Sequence, residues 1–102
     1  MKIVDDGVLQ FTVPMPMALR EVHVYALETD EGWVLVDSGF PSIEARDQLT
    51  TELETSIGGL SRVSTIIVTH FHPDHSGLAG WIQERSNCRV VIHQADWPRL
   101  MH

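Results

Sequence analysis

The sequence has 102 residues, with 14 acidic and 7 basic side chains, so its formal charge is 7 − 14 = −7 with neutral histidines. Hydrophobic residues make up 43% and charged residues 21% of the chain, which excludes a disordered or collagen-like protein and predicts one domain over residues 1–102. The six arginines and one lysine are scattered, which argues against a nucleic-acid-binding surface.

Three strands are predicted in the first half of the sequence, from its β-branched and aromatic side chains, at residues 8–13, 22–28 and 33–37. The turn sequence TDEG separates the second run from the third, which favours a hairpin. Between the first two runs, Pro14 and Pro16 predict a loop over residues 14–20, because a proline nitrogen has no hydrogen to donate to a sheet.

An amphipathic helix is predicted after the third strand. Ser42 is a suitable N-cap residue, and apolar residues then recur every four positions, at Leu49, Leu53 and Ile57. Gly58 follows directly and predicts the end of this helix.

A fourth strand, a second helix and a fifth strand complete the predicted order. The apolar run at 64–69 is typical of a strand buried on both faces. Ser76 predicts the start of a helix that continues to about Arg85, and residues 89–93 predict a strand. The order β-β-β-α-β-α-β indicates an α/β layered fold, with a mixed β-sheet and helices on one face.

Four potential metal ligands follow the fourth predicted strand within six positions: His70, His72, Asp74 and His75. With six histidines and seven aspartates in the chain, this pattern arises by chance with a probability on the order of 0.001. His70 and His72 point to the same side of an extended backbone and can bind one ion. Pro73 turns the chain, so that Asp74 and His75 can bind a second ion. These ligands suit zinc, and manganese or iron are also chemically reasonable.

The ligand pattern has a known counterpart. The segment THFHPDHSG, residues 69–77, resembles the H-x-H-x-D-H signature of metallo-β-lactamase-fold hydrolases, including the glyoxalase II-like members. The segment LETDEGWVLVDSG, residues 27–39, is similar to the upstream hairpin of that family, which ends in an Asp-Ser/Thr-Gly turn. The resemblance covers nearly the whole chain and implies an αββα sandwich, of which this sequence would form the N-terminal half.

The resemblance also implies a two-metal site and a hydrolytic reaction. By resemblance, His70 and His72 serve the first zinc ion, and Asp74 and His75 serve the second. Asp37 would lie behind these ligands as a hydrogen-bond partner. The implied reaction is attack of a metal-activated water, oriented by Asp74, on a small-molecule ester, thioester or lactone. A phosphodiesterase or nuclease branch of the same fold is an alternative, which the excess of acidic residues disfavours.

The resemblance implies further ligands that the sequence does not match. The family takes two more histidines and a bridging aspartate from its C-terminal half, whereas this chain ends 27 residues after His75. His93 and His102 match none of those positions. We therefore interpret the chain as truncated before a C-terminal αβ half, and expect that half, or a second copy in a homodimer, to cover an exposed sheet face. A catalytically silent folding or binding module is the alternative from another functional class.

The sequence also indicates a compartment. A single cysteine, Cys88, excludes an internal disulfide and fits a reducing environment. Asp5 and Asp6 stand where a signal peptide would need apolar residues, and no apolar run approaches 18 residues. These features predict a cytoplasmic protein without membrane partners.

Overall fold

A computed structural model describes residues 1–15, 20–39, 41–69 and 77–92. The described residues form six strands, two α-helices and one 3₁₀ turn. In chain order these are β1 (Lys2–Asp5), β2 (Val8–Met15), β3 (Arg20–Thr29), β4 (Gly32–Val36), α1 (Ile43–Ile57), the 3₁₀ turn (Leu60–Arg62), β5 (Val63–Val68), α2 (Ala79–Ser86) and β6 (Arg89–Ile92).

All six strands belong to one mixed sheet, in the spatial order β1-β2-β3-β4-β5-β6. The first four strands pair antiparallel, and β5 and β6 continue the sheet parallel to β4. Parallel neighbours need a crossover, which α1 provides between β4 and β5 and α2 provides between β5 and β6. The carboxyl ends of β4, β5 and β6 therefore lie at the same end of the sheet.

The hydrophobic core lies between one face of the sheet and both helices. The strand register places Leu9, Ala26, Leu35 and Ile66 in one row across this face, and all four are buried. The helices complete the same core with buried residues one turn apart, namely Ala45, Leu49, Leu53, Ile57, Ala79 and Ile82. The prediction of an α/β fold with both helices on one face of a mixed sheet is confirmed.

The termini of α1 follow the predicted capping chemistry. The Oγ of Ser42 accepts a hydrogen bond of 3.1 Å from the backbone N–H of Ala45. At the other end, Gly58 adopts a φ of 97°, and its N–H donates to the carbonyl of Leu53. Each bond satisfies a backbone group that the helix itself leaves unpaired. Within the described ranges, neither helix is long and apolar enough to cross a membrane.

One sequence-based prediction about the first strands is wrong, and one strand was not predicted. The loop expected at residues 14–20 is wrong at both ends, because Pro14 and Met15 belong to β2 and Arg20 belongs to β3, while residues 16–19 lie outside the described residues. β1 pairs with β2 only as far as Gln10, so β2 has a single neighbouring strand at Pro14, where proline is tolerated. The strand β1 was not predicted, because all four of its residues are exposed and it carries no buried apolar pattern.

The opposite face of the sheet carries apolar side chains, and neither of the two described helices lies over them. Its central row consists of Tyr25, Val36, Ile67 and Val91, as the pairing of β3 to β6 shows. Ile67 is 38% exposed and Val91 is 50% exposed. We call this surface, with the half-buried Leu27 and Val34 beside that row, the open face.

Candidate metal centre

The site is built on the turn that follows β4. Val36 pairs with Ile67 in the parallel register of β4 and β5, so Asp37 leaves β4 beside the last residues of β5. The N–H of Asp37 donates to the carbonyl of Ile67 over 2.8 Å. Asp37 has a φ of 68°, a left-handed conformation that aspartate tolerates better than most residues. The turn therefore directs the Asp37 side chain toward the carboxyl end of β5.

The carboxylate of Asp37 holds the residue that precedes the predicted ligands. Asp37 is only 6% exposed. Its Oδ1 accepts a 2.9 Å hydrogen bond from the backbone N–H of Thr69, and the Thr69 hydroxyl lies 2.8 Å from each carboxylate oxygen. A buried carboxylate needs such donors, and hydrogen bonds to a charged group are stronger than neutral ones. The position of Thr69, the residue before His70 in the sequence, is therefore tied to the end of β4.

The next residue of the turn makes a second long-range contact. Ser38 is fully buried, and its Oγ accepts a 3.1 Å hydrogen bond from the backbone N–H of Leu78, which precedes α2. Neither this contact nor the role of Thr69 as a donor was predicted from the sequence. The Asp-Ser-Gly triplet was visible in the sequence, but nothing in its spacing identifies a partner 40 residues later.

The second helix begins differently from its prediction. The sequence indicated Ser76 as its first capping residue, and Ser76 lies outside the described residues. The helix starts at Ala79, and its N-cap residue is Leu78, whose side chain makes no capping hydrogen bond. The hydroxyl of Ser38 supplies an acceptor at this end of α2. A residue distant in sequence thus supplies the kind of contact that the prediction assigned to a local serine.

The four predicted ligands, His70, His72, Asp74 and His75, lie outside the described residues. Their assignment to metal ions stays a prediction from the sequence. Within the described ranges, no group of three or more histidine, cysteine, aspartate or glutamate side chains could hold a metal ion. The described residues thus supply the support around the segment, and the sequence places the candidate ligands within it.

The residue types at this end of the sheet suit a metal ion. Two histidines, an aspartate and a third histidine follow Thr69 within six positions, and imidazole with carboxylate is a suitable donor set for zinc. Asp37 already accepts hydrogen bonds from Thr69, which suits a supporting role beside a metal site better than direct ligation. A cavity of about 270 Å³ that includes Asp30 and Arg62 lies at the opposite end of β4 and β5, so it does not belong to this site.

A family model supports the same interpretation. Residues 18–102 match the model of the metallo-beta-lactamase superfamily. The match includes both the turn after β4 and the H-x-H-x-D-H segment. It extends over most of the chain, so the resemblance inferred from two sequence segments is confirmed.

Individual relatives match most of this chain, but the match covers only a minor part of each relative's own length. A hydroxyacylglutathione hydrolase of Thiobacillus denitrificans is 32% identical over 88 residues, covering 86% of this chain and 30% of its own. A probable metallo-hydrolase of Bacillus subtilis is 34% identical over 73 residues, covering 72% and 23% respectively. The crystal structure of a metallo-beta-lactamase family protein from Thermus thermophilus superposes with a TM-score of 0.84 at 33% identity, covering 93% of this chain and 31% of that one. This chain thus spans less than a third of each relative's length, and on the family match it belongs to the metallo-beta-lactamase superfamily.

Proposed function

We propose that the protein is a metal-dependent hydrolase that cleaves a small ester, thioester or lactone. The observation that carries this proposal is the position of Thr69, the residue that precedes the H-x-H-x-D-H segment in the sequence. The segment begins directly after Thr69, which the buried Asp37 carboxylate holds at the carboxyl end of β5. In α/β sheets, ligand and substrate sites form at the carboxyl ends of parallel strands.

The chain's own residues divide into ligands and supports in this proposal. His70 and His72 would hold one zinc ion, and Asp74 and His75 a second, with manganese or iron as alternatives. When bound, such ions supply a nucleophilic water near neutral pH and polarise the bond to be cleaved. Asp74 would also orient the attacking water and carry its proton toward the leaving group. Asp37 would hold the segment in place through Thr69.

The substrate class rests on charge and on the relatives. The chain carries a net charge of −7 with scattered basic residues, which disfavours a polyanionic substrate such as a nucleic acid. One relative at 32% identity is a hydroxyacylglutathione hydrolase, and an acylglutathione is a small thioester. Cys88 is the sole cysteine of the sequence and is buried, so the chain cannot form an internal disulfide, which suits a reducing compartment such as the cytoplasm.

A substrate panel tests this proposal. We expect the protein to hydrolyse an acylglutathione thioester, an activated carboxylic ester or a lactone. Chelation should lower the hydrolysis rate at least about tenfold, and returned Zn²⁺ should restore it, because the ion supplies both nucleophile and Lewis acid. Initial rates should be measured for each substrate beside bis(p-nitrophenyl) phosphate. Preferential turnover of the phosphodiester would contradict the substrate class, and chelator-resistant hydrolysis would contradict the metal mechanism. Metal binding without any turnover would favour a silent binding module.

We further propose that the open face is an internal interface of a longer protein. This chain covers only 31% of the Thermus thermophilus protein to which it is similar. The remaining length of the Thermus thermophilus protein is ample to cover such a face. An apolar face that the described residues leave uncovered promotes association, because contact with another apolar surface removes it from water. A second copy of the chain could then occupy the face when the rest of the protein is absent.

Two matched substitutions test the open face. We expect the isolated chain to self-associate, and Val91→Lys to weaken its association at least about tenfold, because a charge would have to be buried in the contact. Ile3→Lys is the control, since Ile3 is 68% exposed and pairs with Leu9 on the helix-covered side of the sheet. Sedimentation equilibrium over a range of concentrations should distinguish the three proteins. A monomeric parent chain, or equal effects of both substitutions, would contradict the proposed interface.

A further inference from the structure

Two consecutive residues of the turn after β4 bond to the two ends of the segment that carries the predicted ligands. Asp37 accepts hydrogen bonds from Thr69, and Ser38 accepts one from Leu78. Residues 70–77 lie between these two anchors. We propose that Asp37 and Ser38 form a two-sided clamp, in which Ser38 is a positioning residue that acts on metal binding through Leu78. The metal-binding part of this inference rests on the proposed function.

The Leu78 amide depends on an acceptor from outside its own helix. Leu78 is the N-cap residue of α2 and is 4% exposed. Its carbonyl accepts the N–H of Ile82, which begins the helical ladder, whereas its own N–H points to Ser38 Oγ at 3.1 Å. A buried amide that loses its acceptor is costly, because water cannot replace the bond. The Ser38 hydroxyl therefore fixes where α2 begins and where the preceding segment ends.

The turn has little freedom to adjust if one anchor is lost. Asp37 has a φ of 68° and Gly39 has a φ of 96°, so two residues beside Ser38 occupy left-handed conformations. A Cβ at Gly39 would lie 3.4 Å from Val13 Cγ1 and 3.9 Å from Leu78 Cδ1, which are ordinary van der Waals distances, so the turn lies beside both the core and Leu78. The spacing between the Asp37 carboxylate and the Ser38 hydroxyl is thus set by one short, buried stretch of backbone with a positive φ on either side of Ser38.

Holding both ends of a ligand-bearing segment favours metal binding. A segment with fixed ends samples fewer conformations before the ion arrives, so less ordering has to accompany binding. Residues that orient metal ligands without touching the ion commonly change metal affinity by about 10–100-fold when they are replaced. Ser38 acts at one remove from the ligands, so we expect an effect at the lower end of this range.

The chain offers a matched control for the loss of a serine at a helix start. Ser42 Oγ accepts a backbone N–H of α1 at 3.1 Å, as Ser38 Oγ accepts that of Leu78 at the same distance, but α1 does not follow the ligand segment. Ser38→Ala should weaken Zn²⁺ affinity about tenfold and change the absorption spectrum of bound Co²⁺. Ser42→Ala should change neither, and Ser38→Thr, which keeps the hydroxyl, should restore both.

Zn²⁺ affinity should be measured on the full chain by competition with a chromophoric chelator, with circular dichroism as a check of folding. Equal affinities of Ser38→Ala and the parent protein would overturn the inference. The same would follow if Ser42→Ala weakened the affinity as much as Ser38→Ala, since the effect would then reflect general destabilisation. If Ser38→Ala fails to fold, Ser38→Thr provides the test. A Co²⁺ spectrum and a Zn²⁺ affinity equal to those of the parent protein would support the role of the hydroxyl, and a weaker Zn²⁺ affinity in Ser38→Thr would oppose it.

Amide hydrogen exchange tests the clamp without metal. In the metal-free chain, Ser38→Ala should accelerate exchange at Leu78 and also at Thr69, at least about fivefold, because both amides bond to the same turn. Ser42→Ala should accelerate neither. Unchanged exchange at Thr69 would show that the two ends are held independently and would overturn the clamp. A parent chain that binds no metal, with accelerated exchange in Ser38→Ala, would contradict the proposed function and leave the clamp supported.

Discussion

Replacing His72 with alanine is expected to remove bound metal from the protein without unfolding it. In the proposed site, His72 is one of two imidazoles that this segment contributes to the first ion, and its loss leaves too few ligands to retain that ion. The affinity should fall by more than the roughly 10–100-fold typical of residues that only support a ligand. Zinc content per chain after dialysis, measured by mass spectrometry, gives the result directly.

A histidine elsewhere in the fold provides the control for this experiment. His23 lies exposed on β3, with its ring nitrogen 3.3 Å from the hydroxyl of Thr12. His23→Ala should retain the metal content of the parent protein. Retention of full zinc by His72→Ala would show that the ligand assignment is wrong. Equal losses in both variants would point to nonspecific binding by surface histidines.

Replacing Asp37 with alanine is expected to lower the free energy of unfolding by at least about 4 kcal/mol in the metal-free protein. The substitution removes charge-assisted hydrogen bonds to Thr69, each of which contributes about 1.5–3 kcal/mol. It also places alanine at a φ of 68°, where a left-handed conformation costs about 1–2 kcal/mol in a residue with a Cβ. Urea unfolding, with the slope compared between proteins, measures the change.

Two further substitutions at position 37 separate these causes. Asp37→Gly removes the carboxylate but accepts the positive φ, so it should be about 1 kcal/mol more stable than Asp37→Ala. Asp37→Asn keeps an acceptor oxygen and tolerates the left-handed conformation, so it should retain the most stability of the three. If Asp37→Ala unfolds at the same urea concentration as the parent protein, the hydrogen bonds to Thr69 do not stabilise the fold. Reversal of the order of Asp37→Gly and Asp37→Ala would contradict the strain argument.

The sequence was a good guide to helices and strands whose signals are local. The helix α1 was predictable because its cap at Ser42, its buried Leu49 and Leu53, and its terminal Gly58 all follow from neighbouring residues. The hairpin of β3 and β4 was predictable for the same reason, since the turn between Thr29 and Gly32 lies between two apolar runs. In both cases the interactions that decide the structure connect residues only a few positions apart.

The errors occurred where a distant partner decides the outcome. Pro14 is typical of a strand breaker, and it is accommodated because β1 does not extend along β2 to that position. β1 itself forms by pairing with β2, although its own residues are exposed. Ser76 looked like the cap of α2, whereas the contact at Leu78 comes from Ser38. A sequence pattern cannot show these results, because each depends on which elements become neighbours in the sheet.

The candidate metal site shows the same division. Residue types and spacing alone identified His70, His72, Asp74 and His75 as a ligand set, because metal chemistry requires particular donor atoms close together in the chain. Asp37 was assigned a supporting role only by resemblance. The tertiary structure decided what Asp37 and Ser38 contact, because parallel pairing of β4 with β5 brings the turn at 37–39 beside Thr69 and Leu78. Local chemistry thus predicts the metal donors, and strand pairing decides the contacts of Thr69 and Leu78 on either side of them. Those contacts join residues 30 to 40 positions apart, and only the folded sheet brings such positions within hydrogen-bond distance.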